Sequence, residues 1–217
     1  MKLLNEYEYK IPKIWFYDIK GVQDVATLKE LEVAKELSSL RSKIFLESRA
    51  YIRQSLASLF DLHPLEIPII ANPGKPLKLP EGMGNISLSH CKDAIVLAWH
   101  KEKIGIDIER LDRSFNYEKI ANKYFKRNLD NDKNKSDKNL ILNQWCAIEA
   151  AIKWDKGKLA RDIKEWHYSA KNKKLFHKKK NLNLKFQQIN FHEWTIVLAI
   201  EDNFCLNKTI ICSSRNI

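Results

Sequence analysis

The chain has 217 residues, of which 44% are hydrophobic and 10% aromatic, so its composition excludes a disordered chain. This length is enough for one large domain or two small ones with a buried core. The net charge of +11, from 38 basic and 27 acidic side chains, favours nucleic acid, acidic proteins or phosphorylated small molecules as partners.

Hydropathy and cysteine spacing predict the compartment. No apolar run is long enough to span a bilayer and the first residues show no signal peptide, so we expect a cytoplasmic protein with no membrane partner. Cys91, Cys146, Cys205 and Cys212 have no CxxC spacing and form no helical pair with a histidine. Reduced thiols explain them better than disulfides or a metal site.

The first third of the chain predicts one strand and two helical stretches. Residues 15–19 have strand composition, residues 24–40 have helical composition, and residues 40–60 carry the stronger helix pattern. On that second stretch Arg49 and Arg53 lie one turn apart on a face away from the apolar stripe. A solvated basic face is the simplest interpretation of the two arginines.

Proline and glycine dominate residues 64–84, which contain five of the six prolines and three of the six glycines. Such a segment is an ordered connection rich in turns, and an exposed lysine is the simplest interpretation of Lys75 within it. Three short strands follow, over Asn85–His90, Asp93–Trp99 and Lys103–Arg110. Strands separated by such short turns predict an antiparallel meander.

The third of these strands places two carboxylates on one face. Its isoleucines alternate with Gly105, Asp107 and Glu109, so the two acidic side chains lie roughly 6–7 Å apart along the strand. Carboxylates at this spacing suit Mg²⁺, and Gly105 leaves room for a ligand to approach the backbone. The alternative is an edge strand with one face in water.

The second strong helix pattern covers Asn139–Trp154. An apolar stripe formed by Ile141, Trp145, Ile148 and Ile152 predicts its buried face. Glu149 and Lys153 lie one turn apart beside this stripe, and a surface ion pair is one interpretation of them. In the other, Glu149 is a third carboxylate of the Mg²⁺ site and the Lys153 ammonium neutralises a phosphate oxygen. A helix over residues 117–125 precedes it, and four strands over residues 165–200 follow it.

A faint repeat divides the chain. Ile95–Ala98 recurs as Ile196–Ala199 at an offset of 101 residues, and the two strong helices are separated by a similar interval. The shared offset predicts two similar α/β halves, residues 1–101 and 102–217, with a ligand cleft between them.

The motifs together resemble a known family. Gly105–Glu109, followed by Trp145–Lys153, is similar to the paired signature of the 4′-phosphopantetheinyl transferases. The surfactin-synthetase type, a single chain of two similar halves, is the closer match. Arg49, the segment Gly74–Pro76 and the segment Asn85–His90 stand in the order expected for that type.

The resemblance implies a fold, a reaction and partners. The fold would be α/β (α+β), with two halves that are related by a pseudo-two-fold axis and that each pack a small antiparallel sheet with helices. The activity would be that of a holo-[acyl-carrier-protein] synthase, which transfers 4′-phosphopantetheine from coenzyme A to a serine of an acyl or peptidyl carrier protein. Mg²⁺ would be the cofactor, and the two-halved chain predicts a monomer.

The resemblance also implies residue roles. Asp107, Glu109 and Glu149 would hold Mg²⁺ against the pyrophosphate of coenzyme A. Lys75 and His90, with Ser89 beside them, would contact phosphates, Arg49 would meet the 3′-phosphate and Lys153 would bind the pyrophosphate. The catalytic set would then be Glu149, Lys153 and Asp107.

The chain departs from the family at two positions. Ile148 stands where the family usually has a lysine, and the acidic residue that the family often has after the aromatic pair Tyr124-Phe125 is not clearly placed, with Asp130 as a substitute. Restoring the lysine is therefore expected to keep or raise the rate. A catalytically lapsed paralogue that still binds coenzyme A or a carrier is one alternative. A basic nucleic-acid-binding module is another, although no zinc-finger, RNA-recognition or recognition-helix pattern supports it.

Overall fold

The computed structural model describes residues 11–20, 25–71, 76–125, 138–201 and 210–213. Within these ranges the chain forms nine strands and five α-helices, with the strands arranged in two sheets. The mixed α+β architecture predicted from the sequence is therefore confirmed. No described helix has the combination of length and hydrophobicity that crossing a membrane requires.

The first sheet has the strand order β2-β3-β1-β9. Its strands are β1 (Lys13–Asp18), β2 (Asn85–His90), β3 (Ala94–His100) and β9 (Ile210–Ser213). All neighbours are antiparallel except β9, which runs parallel to β1. The helices of this part are α1 (Leu28–Lys35) and α2 (Ser39–Phe60), and a 3₁₀ turn follows at Pro64–Glu66. Ile52 and Leu56 of α2 pack against Leu97 and Trp99 of β3.

The second sheet is antiparallel throughout, with the strand order β4-β8-β7-β6-β5. Its strands are β4 (Gly105–Arg110), β5 (Trp166–Ser169), β6 (Lys174–His177), β7 (Leu182–Phe191) and β8 (Trp194–Glu201). The helices of this part are α3 (Tyr117–Tyr124), α4 (Lys138–Trp154) and α5 (Leu159–Asp162). The predicted apolar stripe of α4 is buried against the sheet, with Ile148 only 1% exposed.

The two sheets pack face to face. Phe16, Val96 and Ala98 of the first sheet share one apolar core with Ile106 and Leu198 of the second. Because side chains alternate along a strand, the opposite faces of the sheets are left for α2 and α4. The layers therefore run helix, sheet, sheet, helix, and β4 belongs to one of the two inner layers.

The predicted meander over residues 85–110 is wrong in its third strand. β2 and β3 form the expected hairpin, but β4 pairs with β8 in the other sheet. Both edges of β3 are already occupied, by β1 and by β2, so no place beside it remains. β4 is an edge strand of its sheet, but the wet face of that alternative is wrong, because its residues from Gly105 to Glu109 are all buried.

Gly105 serves helix packing instead of ligand approach. A Cβ atom at this position would lie 2.0 Å from the carbonyl oxygen of Ala150 and 2.7 Å from the backbone nitrogen of Trp154. The missing side chain therefore lets the backbone of α4 approach β4, and the predicted role for Gly105 is wrong.

The two members of the faint repeat occupy similar places. Ile95–Ala98 lies in β3 and Ile196–Ala199 lies in β8, and each of these strands is paired on both sides. The strands divide between the two sheets after His100, except that β9 returns to the first sheet.

Candidate functional site

β4 and α4 position the predicted carboxylates. Alternation along β4 sends Ile106 and Ile108 into the core between the sheets and turns Asp107 and Glu109 toward α4. Asp107 is 3% exposed and Glu109 is 9% exposed, so both carboxylates are largely removed from water. Charges in such a position need partners.

Asp107, Ser89 and Lys153 form a closed triangle of polar contacts. The Ser89 hydroxyl donates to Asp107 Oδ1 at 2.7 Å, and the Lys153 ammonium donates to the same oxygen at 2.7 Å. Lys153 Nζ also donates to Ser89 Oγ at 2.6 Å. The structure therefore brings together three predicted site residues from β2, β4 and α4.

The second oxygen of Asp107 has different surroundings. Asp107 Oδ2 is buried and accepts no hydrogen bond from a nitrogen or oxygen donor of the described residues. The thiol of Cys146 lies near this carboxylate, and burial together with the Asp107 charge raises the pKa of that thiol well above its usual range. Since a buried carboxylate oxygen without a donor is costly, Asp107 Oδ2 is suited to bind a cation.

Glu109 and Glu149 complete a group of three interacting carboxylates. Burial raises the pKa of Glu109, and the Asp107 charge adds to this effect, while an ion pair with Arg113 opposes it. Burial and the Asp107 charge raise the pKa of Glu149 to about 8, although Lys153 acts in the opposite direction. The three acidic groups are therefore close enough to disfavour each other's ionisation.

These residues fit a magnesium ion in their chemistry, although they do not form a finished ligand set. Among the described residues, no group of three or more His, Cys, Asp or Glu side chains has the arrangement of a metal site. Asp107 and Glu109 are instead paired with Lys153 and Arg113. Mg²⁺ typically takes one or two protein carboxylates, and Asp107 Oδ2 is a buried carboxylate oxygen with no hydrogen-bond partner among the described residues.

His90 follows Ser89 at the end of β2 and lies near the charges of Lys153 and Asp107. Burial and the Lys153 charge lower the pKa of this imidazole, while the Asp107 charge acts in the opposite direction. The neutral ring is thus favoured at pH 7, in a form that both donates and accepts hydrogen bonds.

Arg49 belongs to a different cluster. Its Nε lies 3.8 Å from Glu30 Oε1 and its guanidinium covers the ring of Phe45 at 4.8 Å. Arg53 is 5% exposed, pairs with Glu30 at 3.0 Å and donates to the Ile67 carbonyl at 2.8 Å. The predicted solvated basic face is therefore wrong for Arg53. The Arg53 guanidinium connects α2 to Glu30 of α1 and to the Ile67 carbonyl after the 3₁₀ turn.

Two predicted residues and one cysteine lie outside the described residues. These are Lys75, Asp130 and Cys205, and the roles expected of Lys75 and Asp130 stay predictions. Cys91 and Cys146, whose side chains are described, are free thiols as expected.

Two cavities flank the carboxylates. One has a volume of about 380 Å³, and Lys153 forms part of its wall together with Lys78, Lys103 and Lys156. We call it the lysine cavity. The other, of about 620 Å³, is lined by His90, Glu109 and Arg113 among others. The site is therefore open to ligands on two sides.

Sequence patterns miss several residues of the site. Ser87 Oγ accepts the backbone N–H of Ile106 at 3.0 Å, a bond that joins the first sheet to the second. Its two-residue spacing from Ser89 is a signal that both serines share a face. No spacing in the sequence identifies the other site residues, because they come from separate segments. These are Arg113 and the cavity lysines Lys78, Lys103 and Lys156.

Comparison with known proteins adds no identification: no protein-family model matches the chain, and no curated protein matches it.

Proposed function

We propose that the protein is a magnesium-dependent 4′-phosphopantetheinyl transferase. It would move 4′-phosphopantetheine from coenzyme A to a serine of an apo acyl or peptidyl carrier protein and release adenosine 3′,5′-bisphosphate. The observation that carries this proposal is the convergence of Asp107, Glu109 and Glu149 with Lys153 beside a cavity lined by lysines. A net charge of +11 suits a polyanionic substrate and an acidic protein partner.

The strand connections support the finer fold assignment, two halves related by a pseudo-two-fold axis. β1, two helices and the β2–β3 hairpin follow one another in the first sheet, and β3 returns to pair with β1. β4, α3, α4 and the β7–β8 hairpin come in the same order, with α5, β5 and β6 inserted between α4 and the hairpin, and β8 returns to pair with β4. Leu97 and Leu198, which are 101 residues apart, oppose Trp15 and Ile106, and these two partners are 91 residues apart.

Asp107, Glu109 and Glu149 are the residues that would hold Mg²⁺. When bound, the ion supplies positive charge that stabilises the pyrophosphate of coenzyme A as its phosphorus–oxygen bond breaks. Asp107 would contribute its second oxygen, since its first is already held by Ser89 and Lys153.

Lys153 would neutralise the leaving phosphate. Its ammonium is held by Ser89 and Asp107 and also reaches the lysine cavity, so one charge serves both the reacting group and the adjoining pocket. The neutral imidazole of His90 would donate a hydrogen bond to a phosphate oxygen from the neighbouring strand end. Positioned cations and donors of this kind contribute most of the catalysis in phosphoryl transfer.

Glu149 would accept the proton of the carrier serine. The serine oxygen would attack the phosphorus that bears pantetheine, the bond from this phosphorus to the bridging oxygen would break, and adenosine 3′,5′-bisphosphate would leave. A carboxylate with a pKa of about 8 suits proton removal near neutral pH.

Intact-mass spectrometry of a carrier protein tests the proposal. The purified chain is mixed with coenzyme A, Mg²⁺ and a panel of apo acyl and peptidyl carriers, and the carrier is then weighed. A gain of one phosphopantetheine group that EDTA abolishes is expected. Coenzyme A binding without transfer would indicate a lapsed paralogue, and salt-sensitive binding to arbitrary DNA would indicate a nucleic-acid-binding module. Either result would contradict the proposal.

A further inference from the structure

The two buried carboxylates of β4 are each balanced by a cation of the chain itself. Asp107 is paired with Lys153, and Glu109 is paired with Arg113. Both acidic side chains are largely removed from water, so each depends on its partner to stabilise its charge. These are the carboxylates that the proposed function assigns to Mg²⁺. A divalent ion and the two cations would therefore compete for the same groups.

The two cations are held with different strength. Lys153 Nζ donates two hydrogen bonds, to Ser89 Oγ and to Asp107 Oδ1, and 29% of its side chain is exposed. Within the described residues Arg113 donates one side-chain hydrogen bond, from Nη1 to Glu109 Oε1, and 43% of its side chain is exposed. Arg113 is therefore the cation that leaves its carboxylate at the lower cost.

The turn that carries Arg113 is fixed by its neighbours. The Arg113 N–H donates to the Arg110 carbonyl at 3.2 Å, so the chain turns back immediately after β4. The Arg110 guanidinium donates to both carboxylate oxygens of Asp112 at 2.7 Å and covers the ring of Trp194 at 5.5 Å. This backbone directs Arg113 toward Glu109, four residues earlier. Separation of the ion pair thus requires movement of the Arg113 side chain alone.

The larger of the two cavities provides the space for that movement. Arg113 forms part of its wall together with His90 and Glu109, and its volume is about 620 Å³. The Arg113 guanidinium also lies 5.6 Å from the centre of the Phe115 ring, a cation–π contact in which Glu109 takes no part. Rotation into this cavity would exchange the ion pair with Glu109 for contacts with water.

We infer that Arg113 is an internal counter-ion of Glu109 that a divalent cation has to displace, an inference that rests on the proposed function. The guanidinium balances the buried carboxylate until Mg²⁺ binds, and it then turns into the larger cavity. Because the Arg113 charge repels the incoming ion, the site binds the ion more weakly than its carboxylates alone would. The ion pair between Arg113 and Glu109 thus sets the Mg²⁺ concentration at which the site fills.

Mn²⁺ titration in the absence of coenzyme A and carrier tests the inference. Mn²⁺ takes the oxygen ligands that suit Mg²⁺, and its binding is followed by the loss of the electron paramagnetic resonance signal of the free ion. Arg113→Gln and Arg113→Met each remove the charge. We expect both variants to bind Mn²⁺ about tenfold more tightly than the unaltered full-length protein, as removal of one cation from contact distance predicts.

Two further variants separate the ion pair from a general effect of charge. Arg113→Lys retains the cation and is expected to bind Mn²⁺ as the unaltered protein does. Lys92→Gln is the matched control, because it removes one positive charge from the wall of the same cavity but no ion pair with Glu109 among the described residues. We expect its affinity for Mn²⁺ to change much less than that of Arg113→Gln.

Urea unfolding gives a second measurement that does not depend on activity. Without metal, Arg113→Gln leaves the Glu109 carboxylate without its counter-ion and is expected to unfold at a lower urea concentration than the unaltered protein. Since a ligand stabilises the folded state according to its affinity, Mn²⁺ should stabilise Arg113→Gln more than the unaltered protein. In the Glu109→Gln background no carboxylate is left unbalanced, and the added Arg113→Gln substitution is expected to change Mn²⁺ affinity little.

The outcomes separate this inference from the proposed function. Unchanged or weaker Mn²⁺ binding by both Arg113→Gln and Arg113→Met would overturn the displacement of Arg113, even if the unaltered protein transfers phosphopantetheine. An equal gain in Lys92→Gln, or an equal effect of Arg113→Gln in the Glu109→Gln background, would also overturn it. Tighter Mn²⁺ binding in the Arg113 variants without transfer to any carrier would support the displacement and contradict the proposed function.

Discussion

Ser89 of the first sheet donates a hydrogen bond of 2.7 Å to Asp107 of the second sheet. Two residues away, Ser87 accepts the backbone N–H of Ile106 at 3.0 Å. Strand β2 therefore supplies polar partners to the edge of β4 that β8 leaves unpaired. The candidate site is thus built where the two sheets meet, and its geometry depends on how they are held together.

Ser87→Ala is expected to weaken this junction while leaving the three carboxylates and Lys153 unaltered. The Ile106 N–H would lose its acceptor in a buried position, which costs about 1–3 kcal/mol of unfolding free energy. Urea unfolding of the variant and of Ser58→Ala, an exposed serine of α2, provides the comparison. Equal stability of the two variants would show that the Ser87 contact contributes nothing.

Gly105→Ala is expected to displace α4 and to impair the site. The added Cβ would lie 2.0 Å from the Ala150 carbonyl oxygen, so the helix that carries Glu149 and Lys153 must move. We expect a loss of about 1–3 kcal/mol in stability together with a lower transfer rate. Gly82→Ala is the control, because only its positive φ opposes the change and no neighbouring atom lies within 4 Å. A fully active Gly105→Ala would contradict the packing argument.

Ile148→Lys is expected to destabilise the protein. The sequence alone favours this substitution, but Ile148 is 1% exposed within the core formed by α4 and the second sheet. A lysine there would bury an ammonium group, at a cost of more than about 2 kcal/mol. Ile148→Leu keeps the volume and should cost less than about 1.5 kcal/mol. Thermal unfolding compares the stabilities of the two variants. A stable, active Ile148→Lys would contradict the burial argument.

The stability of the metal-free protein is expected to fall as the pH rises from about 4.5 to 8. The pKa of Glu149 is raised in the folded state, so the native protein binds more protons than the unfolded chain over this interval. The unfolding free energy contributed by this group is therefore present at low pH and lost as the pH passes 8. Urea unfolding at several pH values should show a smaller slope for Glu149→Gln, and an unchanged slope would contradict the assignment.

Local patterns are enough to predict the elements that carry the site. Helical spacing identifies α2 and α4, and alternation identifies β4 with Asp107 and Glu109 on one face. The alternation of side chains does not indicate which sheet a strand joins. The sequence therefore does not reveal that β4 pairs with β8 of the second sheet instead of with β3 of the first. This pairing depends on β1 and β2, which occupy both edges of β3.

Contacts between distant segments are the part that patterns do not predict. Arg53 is buried because Glu30, 23 residues earlier, and the Ile67 carbonyl surround its guanidinium. The lysine cavity likewise combines Lys78, Lys103 and Lys156 from separate segments. A charged residue in one segment does not reveal whether its partner will be water, an acid or a ligand.

The rate of phosphopantetheine transfer by Asp107→Asn tests whether the carboxylate group on β4 and α4 is the active site. The substitution keeps the shape of the side chain and removes the charge that faces Lys153, Glu109 and Glu149. The control is Asp61→Asn, which also removes one negative charge, at an exposed position with φ of 56° that asparagine tolerates.

With the same carrier, coenzyme A and Mg²⁺, we predict that Asp61→Asn matches the unaltered protein. Asp107→Asn is predicted to be slower by about two orders of magnitude or more, with a weaker dependence on Mg²⁺. Equal rates for the two variants, or no transfer by the unaltered protein to any carrier, would contradict the account.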